Sequence, residues 1–216
     1  MIGRELRRLR LQGTSLFASF SFFALALFCV ALALGPDEKI LRRSAPALLW
    51  ILAILTTLFS TPLLLKNEAE AGLLDEIILH SSHPSFYLLA KMGAEILLLG
   101  LPLIILGALS SPLFMLSQEE VIILSLTLLV GFPALSALGI LGGLLTLNTQ
   151  NGGLLIPLLI LPLTLPLLLF ALSALDMTRL GLDSSAPFCL LTSTSLFLVV
   201  ISIGAGNWAL RFAVEG

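Results

Sequence analysis

The sequence predicts an all-α integral membrane protein of six transmembrane helices with both termini in the cytoplasm. Two observations carry that fold class. Hydrophobic residues make up 58% of the chain and charged residues only 11%, whereas a soluble domain carries roughly 25% charged residues. Too little polar surface remains to cover a water-soluble globule. The hydrophobic residues are also gathered into six runs separated by short polar breaks, each about as long as the ~20 residues that a helix needs to cross a bilayer. In lipid such runs satisfy their backbone by helical hydrogen bonding. The chain therefore reads as one membrane domain over residues 1–216.

The first segment carries Arg4, Arg7, Arg8 and Arg10 and turns apolar over residues 14–34. A secretory signal also opens with basic residues, and Ala31-Leu32-Ala33 has the small-residue look of a cleavage site. The apolar stretch exceeds the roughly 7–15 residues of a signal core, so an uncleaved first span is expected. Gly35-Pro36-Asp37-Glu38-Lys39 breaks the run. The second span is expected at 45–65, with Trp50 close to its start as an interfacial anchor. A long polar loop covers 66–91, and the third span follows at 94–116, ended by Ser117-Gln118-Glu119-Glu120. The fourth span is expected at 121–147, and Asn148-Thr149-Gln150-Asn151-Gly152 divides it from the fifth at 153–175. A short loop with Arg179 and Asp183 leads to the sixth at 187–210, with Trp208 near its end.

Orientation follows from Lys and Arg. With the N-terminus inside, Arg4, Arg7, Arg8, Arg10, Lys66, Lys91 and Arg211 are internal, and Lys39, Arg42, Arg43 and Arg179 are external. The internal excess places both termini and the 66–91 loop in the cytoplasm.

That loop is the most informative stretch. Leu73, Leu74, Ile77 and Ile78 recur at helical spacing as an apolar stripe, and Glu68, Glu70, Asp75 and Glu76 supply the polar face of a short amphipathic helix. His80 to Pro84 stop it. Such a helix at the membrane boundary either rests on the bilayer or docks on a partner. Its acidic face suits a protein partner better than anionic lipid, which prefers Lys and Arg; a surface helix without a partner is the other reading. His80 and His83 lack the further ligands of a metal site and read as solvated loop residues. Lys91 and Glu95, one turn apart where the third span enters the membrane, are expected to pair or snorkel to the headgroups, with a role for Glu95 in a translocation path as the other reading.

Within the spans, Gly139 and Gly143 form a small-xxx-small pair that lets another helix approach closely. Pro157, Pro162 and Pro166 each remove a backbone donor from the fifth span and favour bending. Cys29 and Cys189 sit in apolar runs, where a thiol behaves as a small hydrophobe. No Gly-Lys-Ser/Thr phosphate loop, His-Glu-x-x-His motif or catalytic triad pattern occurs, and no basic stretch past the first ten residues suits nucleic acid. The chain is not expected to be an enzyme or to bind a metal or cofactor directly. If it drives work, ATP is hydrolysed on another subunit.

Several stretches resemble the haem exporter protein B family, the permease-type subunit of the cytochrome c maturation system. Gly35-Pro36-Asp37 with Ser44-Ala45-Pro46-Ala47-Leu48-Leu49-Trp50 resembles that family's first outer loop and second helix. Leu128-Leu129-Val130-Gly131-Phe132-Pro133-Ala134-Leu135 resembles its fourth helix. Asn151-Gly152-Gly153-Leu154-Leu155 and the run from Ile160 to Phe170 resemble its fifth. At the loop, where exporter permeases show an acid, Gly, Ser or Thr, Leu and Glu, this chain reads Ala71-Gly72-Leu73-Leu74-Asp75. The resemblance implies an ABC-2-like permease in the bacterial inner membrane. Its coupling helix would contain Glu68, Gly72, Leu73, Leu74, Asp75, Glu76, Ile77 and Ile78. The implied partners are a cytoplasmic ABC ATPase subunit, a haem-handling membrane subunit, a small helper subunit and a periplasmic haem chaperone, with haem as cargo of the complex. Permeases for another substrate share the loop features. A secondary transporter would need ionisable groups inside the spans, where only Glu95 is available, and a purely structural assembly subunit would show no ATP-dependent change.

Overall fold

The apolar runs fold as helices that extend well beyond their apolar cores. The computed structural model describes residues 2–70, 84–146 and 152–215, with side chains placed over residues 16–69, 86–146 and 160–208. Helix α1 runs Ile2–Leu34, α2 Glu38–Glu70 and α3 Pro84–Glu95. A π-helical turn, Ile96–Gly100, joins α3 to α4, Leu101–Leu109. Then come α5, Gln118–Thr146, α6, Gly152–Arg179, and α7, Ser185–Glu215. The described residues contain six stretches long and apolar enough to cross a membrane, from Leu16–Leu34 to Ser185–Trp208.

Local chemistry accounts for the places where these bounds differ from expectation. α2 begins at Glu38 rather than 45 because the Asp37 carboxylate accepts the N–H groups of Lys39 at 2.9 Å and Ile40 at 3.3 Å, a helix N-cap. Pro46 and Pro62 are carried inside α2. The third span is displaced most: among the described residues the stretch long and apolar enough to cross is Phe86–Leu109 instead of 94–116. Pro84 suits a first helical position, and the Lys91 charge is neutralised from α2 (below). At the far end Ser110 Oγ donates to Gly107 O at 2.6 Å, Pro112 cannot extend the helix, and Met115 takes φ 53°. Residues 110–115 are therefore a turn.

Helix α5 is the hub, buried along most of its length and packed against α2, α6, α7 and the third span. α1 leans on α2 and α4 and turns Phe17, Leu25, Phe28 and Leu32 outward. In lipid, apolar burial alone does not draw helices together; close fit does. The α2–α5 contact shows that fit. The two helices run parallel in one register: Arg42 meets Glu120 and Trp50 meets Thr127, 78 and 77 residues apart in sequence. Further along, a Cβ at Gly139 would lie 3.0 Å from Thr61, and one at Gly143 would lie 2.6 Å from Leu65 Cδ1 and 3.2 Å from Pro62 Cα. Gly131 likewise leaves no room beside the Trp50 ring. Trp50 is fully buried in this seam and donates its Nε1–H to Thr127 Oγ1 at 3.3 Å. It is not the interfacial anchor expected from position, because α2 starts twelve residues before it, roughly 18 Å along the axis.

Candidate functional site

Ionisable residues are sparse here, and the described ones gather at three levels along the bundle. The first is the end from which α2 and α3 lead to residues 71–83. Beyond Leu65, the residues Lys66 to Glu70 include no Gly or Pro, so α2 continues and carries Glu68 on its last turns. Glu68 thus belongs to the end of the second helix rather than to a separate amphipathic one. Gly72, Leu73, Leu74, Asp75, Glu76, Ile77 and Ile78, with His80 and His83, lie outside the described residues. Lys91 on α3 donates to Glu68 Oε1 at 2.5 Å, and Tyr87, one turn earlier, donates its hydroxyl to Oε2 at 3.2 Å. Both partners of the ion pair are largely buried. The two helices flanking residues 71–83 are therefore fastened to each other by a three-residue clasp.

The second level lies one turn deeper. Glu95 does not pair with Lys91 or reach the headgroups: Lys91 turns to Glu68, and Glu95 is only 3% exposed inside the bundle. Its Oε2 accepts the Ser136 hydroxyl at 2.5 Å. Among the described residues neither its Oε1 nor the buried Thr61 hydroxyl makes a hydrogen bond of normal geometry. Ser136 shares a face of α5 with Gly139 and Gly143, at helical spacing, so the face that admits α2 also receives the carboxyl. Glu95 is the last residue before the π-helical turn, a local widening often found at functional sites. A carboxyl that is removed from water is costly unless its surroundings are fixed, so the Ser136 contact ties the third span to the hub helix.

The third level is the opposite end of the bundle. Ser117 and Glu120 form a reciprocal capping box at the start of α5: the Ser117 N–H donates to Glu120 Oε2 at 2.8 Å, and the Glu120 N–H to Ser117 Oγ at 3.3 Å. The same carboxylate, 3% exposed, accepts Arg42 Nε at 2.9 Å and Arg179 Nε at 2.7 Å. Arg179 Nη2 also donates to Arg42 O at 2.6 Å. One acid thereby joins α2, α5 and α6. Beside it opens a cleft of about 500 Å³ with Lys39, Arg43 and Glu119 in its wall. In the sequence Arg42, Arg43 and Arg179 bear only on orientation, and Ser117 to Glu120 reads as a break between spans. The Ser-x-x-Glu spacing is the signal that would have marked it as a helix start.

Pro162 and Pro166 lie within the continuous helix α6, the first exposed and the second half-buried; the side chain of Pro157 lies outside the described residues. Among the described residues no three His, Cys, Asp or Glu side chains come together to hold a metal ion.

Comparison with known proteins agrees with this architecture. The family model described as CcmB protein matches residues 1–213. Heme exporter protein B of Haemophilus influenzae is 34% identical over 215 residues, covering 100% of this chain and 97% of that protein. The protein of the same name from Pseudomonas aeruginosa is 36% identical over 210 residues, covering 95% and 94%. That from Escherichia coli K12 is 32% identical over 194 residues, covering 90% and 88%. A match over nearly the whole chain, on six apolar helices of spanning length, makes this chain a multi-pass bacterial inner-membrane protein that belongs to the CcmB family.

Proposed function

We propose that the chain is the permease-type subunit of an ATP-driven complex that serves haem export, or release of a haem-loaded periplasmic chaperone, during cytochrome c maturation. The observation that carries this reading is the near-full-length similarity to proteins named heme exporter protein B. ATP is hydrolysed on a separate cytoplasmic subunit that docks on residues 72–79, and the loop end of the bundle faces the cytoplasm, as the excess of Lys and Arg there favours. A haem-handling membrane subunit and a small helper subunit complete the complex. Movement of the ATPase pushes the docked segment. The Glu68–Lys91 clasp makes α2 and α3 respond as one, and Glu95 passes the displacement to α5 through Ser136. Gly139 and Gly143 keep α2 close enough to follow, and Pro157, Pro162 and Pro166 give α6 places to bend. This chain itself binds no cofactor.

The test is affinity isolation of the tagged chain from its native membrane, with identification of partners and assay of ATPase activity. Charge reversal at Asp75 and Glu76 combined with Gly72→Pro is compared alongside. Recovery of a phosphate-loop ATPase and a haem-handling subunit, with ATPase stimulation lost in the variant, is the expected outcome. Normal coupling in the variant would sink the docking mechanism. Recovery of an ATPase without the haem-handling subunit points to an exporter of another substrate. No ATPase at all favours a secondary transporter, for which the buried Glu95 would be the ionisable group within the spans.

A further inference from the structure

The cleft at the end of the bundle opposite residues 71–83 has the chemistry of an oxyanion site. α2 opens with Lys39, Arg42 and Arg43 at i, i+3 and i+4, all on one face of its first turns. Cations are disfavoured there, because the free N–H groups of a helix N-terminus already make the local potential positive. The Asp37 cap offsets part of that potential. Arg42 spends its Nε on Glu120, and Glu120 is shielded by that contact and by Arg179. The terminal nitrogens of Arg42 and the charged groups of Lys39 and Arg43 have no partner among the described residues. They line the cleft together with Thr178, Ser117 and Glu119.

The cleft of about 500 Å³ is much larger than a phosphate, and among the described residues its wall is lined by charged and hydroxyl side chains. A polar headgroup finds cationic donors and the Glu119 carboxylate in the same lining. The cleft sits where spans α2, α5 and α6 emerge, the level at which lipid phosphates are concentrated.

We infer that this cleft binds a phosphate group, held by Lys39, Arg42 and Arg43, with Glu119 receiving the amine of a zwitterionic headgroup. The phosphate comes from a phospholipid at the membrane surface or from free phosphate in solution. The inference does not depend on what the protein transports.

The test uses the full chain purified in detergent, with native mass spectrometry after controlled delipidation and thermal unfolding with added inorganic phosphate. The K39Q/R43Q variant removes two exposed, unpaired cations and leaves the Arg42–Glu120–Arg179 contacts intact. Wild type is expected to retain phosphatidylethanolamine, with retention falling roughly tenfold in K39Q/R43Q, as loss of a charge-assisted contact implies. E119Q is expected to lose the preference for phosphatidylethanolamine over phosphatidylglycerol. If inorganic phosphate rather than lipid raises the midpoint of wild type but not of K39Q/R43Q, the site holds and its source is free phosphate. Equal behaviour of wild type and K39Q/R43Q towards both probes would overturn it.

Discussion

Lys91 Nζ meets Glu68 Oε1 at 2.5 Å across the two helices that lead into and out of residues 71–83. Both side chains are largely buried, so each charge is stabilised by the other. The ion pair and the Tyr87 hydroxyl make a continuous helix on each side compatible with the membrane boundary.

Removing one partner weakens the clasp. Lys91→Ala is expected to lower stability by about 1–3 kcal/mol, because the largely buried Glu68 carboxylate loses the charged donor it accepts from. The double exchange Glu68→Lys with Lys91→Glu should recover much of that loss. Thermal unfolding of all three variants in detergent checks it, and a double variant no better than Lys91→Ala would contradict the pairing.

Gly143 is expected to be intolerant of any side chain. Alanine there meets Leu65 Cδ1 at 2.6 Å and the Pro62 backbone at 3.2 Å, an overpacking worth about 1–3 kcal/mol. Gly93→Ala is the control, since nothing lies within 4 Å of its added carbon. Unfolding midpoints should drop for the first and hold or rise for the second.

Glu95→Gln should preserve the Ser136 contact and fold normally, whereas Glu95→Leu removes the acceptor and leaves the Ser136 hydroxyl buried without it. A loss of about 1–3 kcal/mol is expected for the leucine variant. If the carboxyl also transmits motion, haem attachment to c-type cytochromes in complemented cells falls in Glu95→Leu more than in Glu95→Gln. Equal activity in both would confine Glu95 to packing.

Glu120→Ala deprives two arginines of their shared acceptor and α5 of its capping box. The expected cost is on the order of 3 kcal/mol or more, combining the ion contacts with the cap. Glu120→Asp, one methylene shorter, should lose less. Unfolding midpoints rank the three proteins, and an unchanged Glu120→Ala would show that this contact adds no stability.

The six spans were legible because a run of some twenty apolar residues has few other ways to fold, and polar breaks such as Asn148 to Gly152 are plain in sequence. Depth was less legible. Trp50 and Glu95 read as surface residues in the sequence because each stands near the end of an apolar run. Side chains such as Asp37 and Ser117 start helices earlier, and Lys91 enters the span because a residue 23 positions away neutralises it. Pairings of that kind depend on which helices are neighbours, and composition says little about that. Glu120 and Arg179 are 59 residues apart in the chain, and no local pattern links them.

The shared register of α2 and α5 carries a consequence for how this chain can vary in length. Residues added or lost between the two helices, anywhere from 71 to 83 or 110 to 116, leave every opposed pair in the seam facing as before. A single residue inserted between Arg42 and Leu65, or between Glu120 and Gly143, would turn everything beyond it by about 100°. Glycines would then face lipid, and leucines would point at the neighbouring backbone. Natural length variation in this fold should therefore accumulate in the connections and be almost absent from these two stretches.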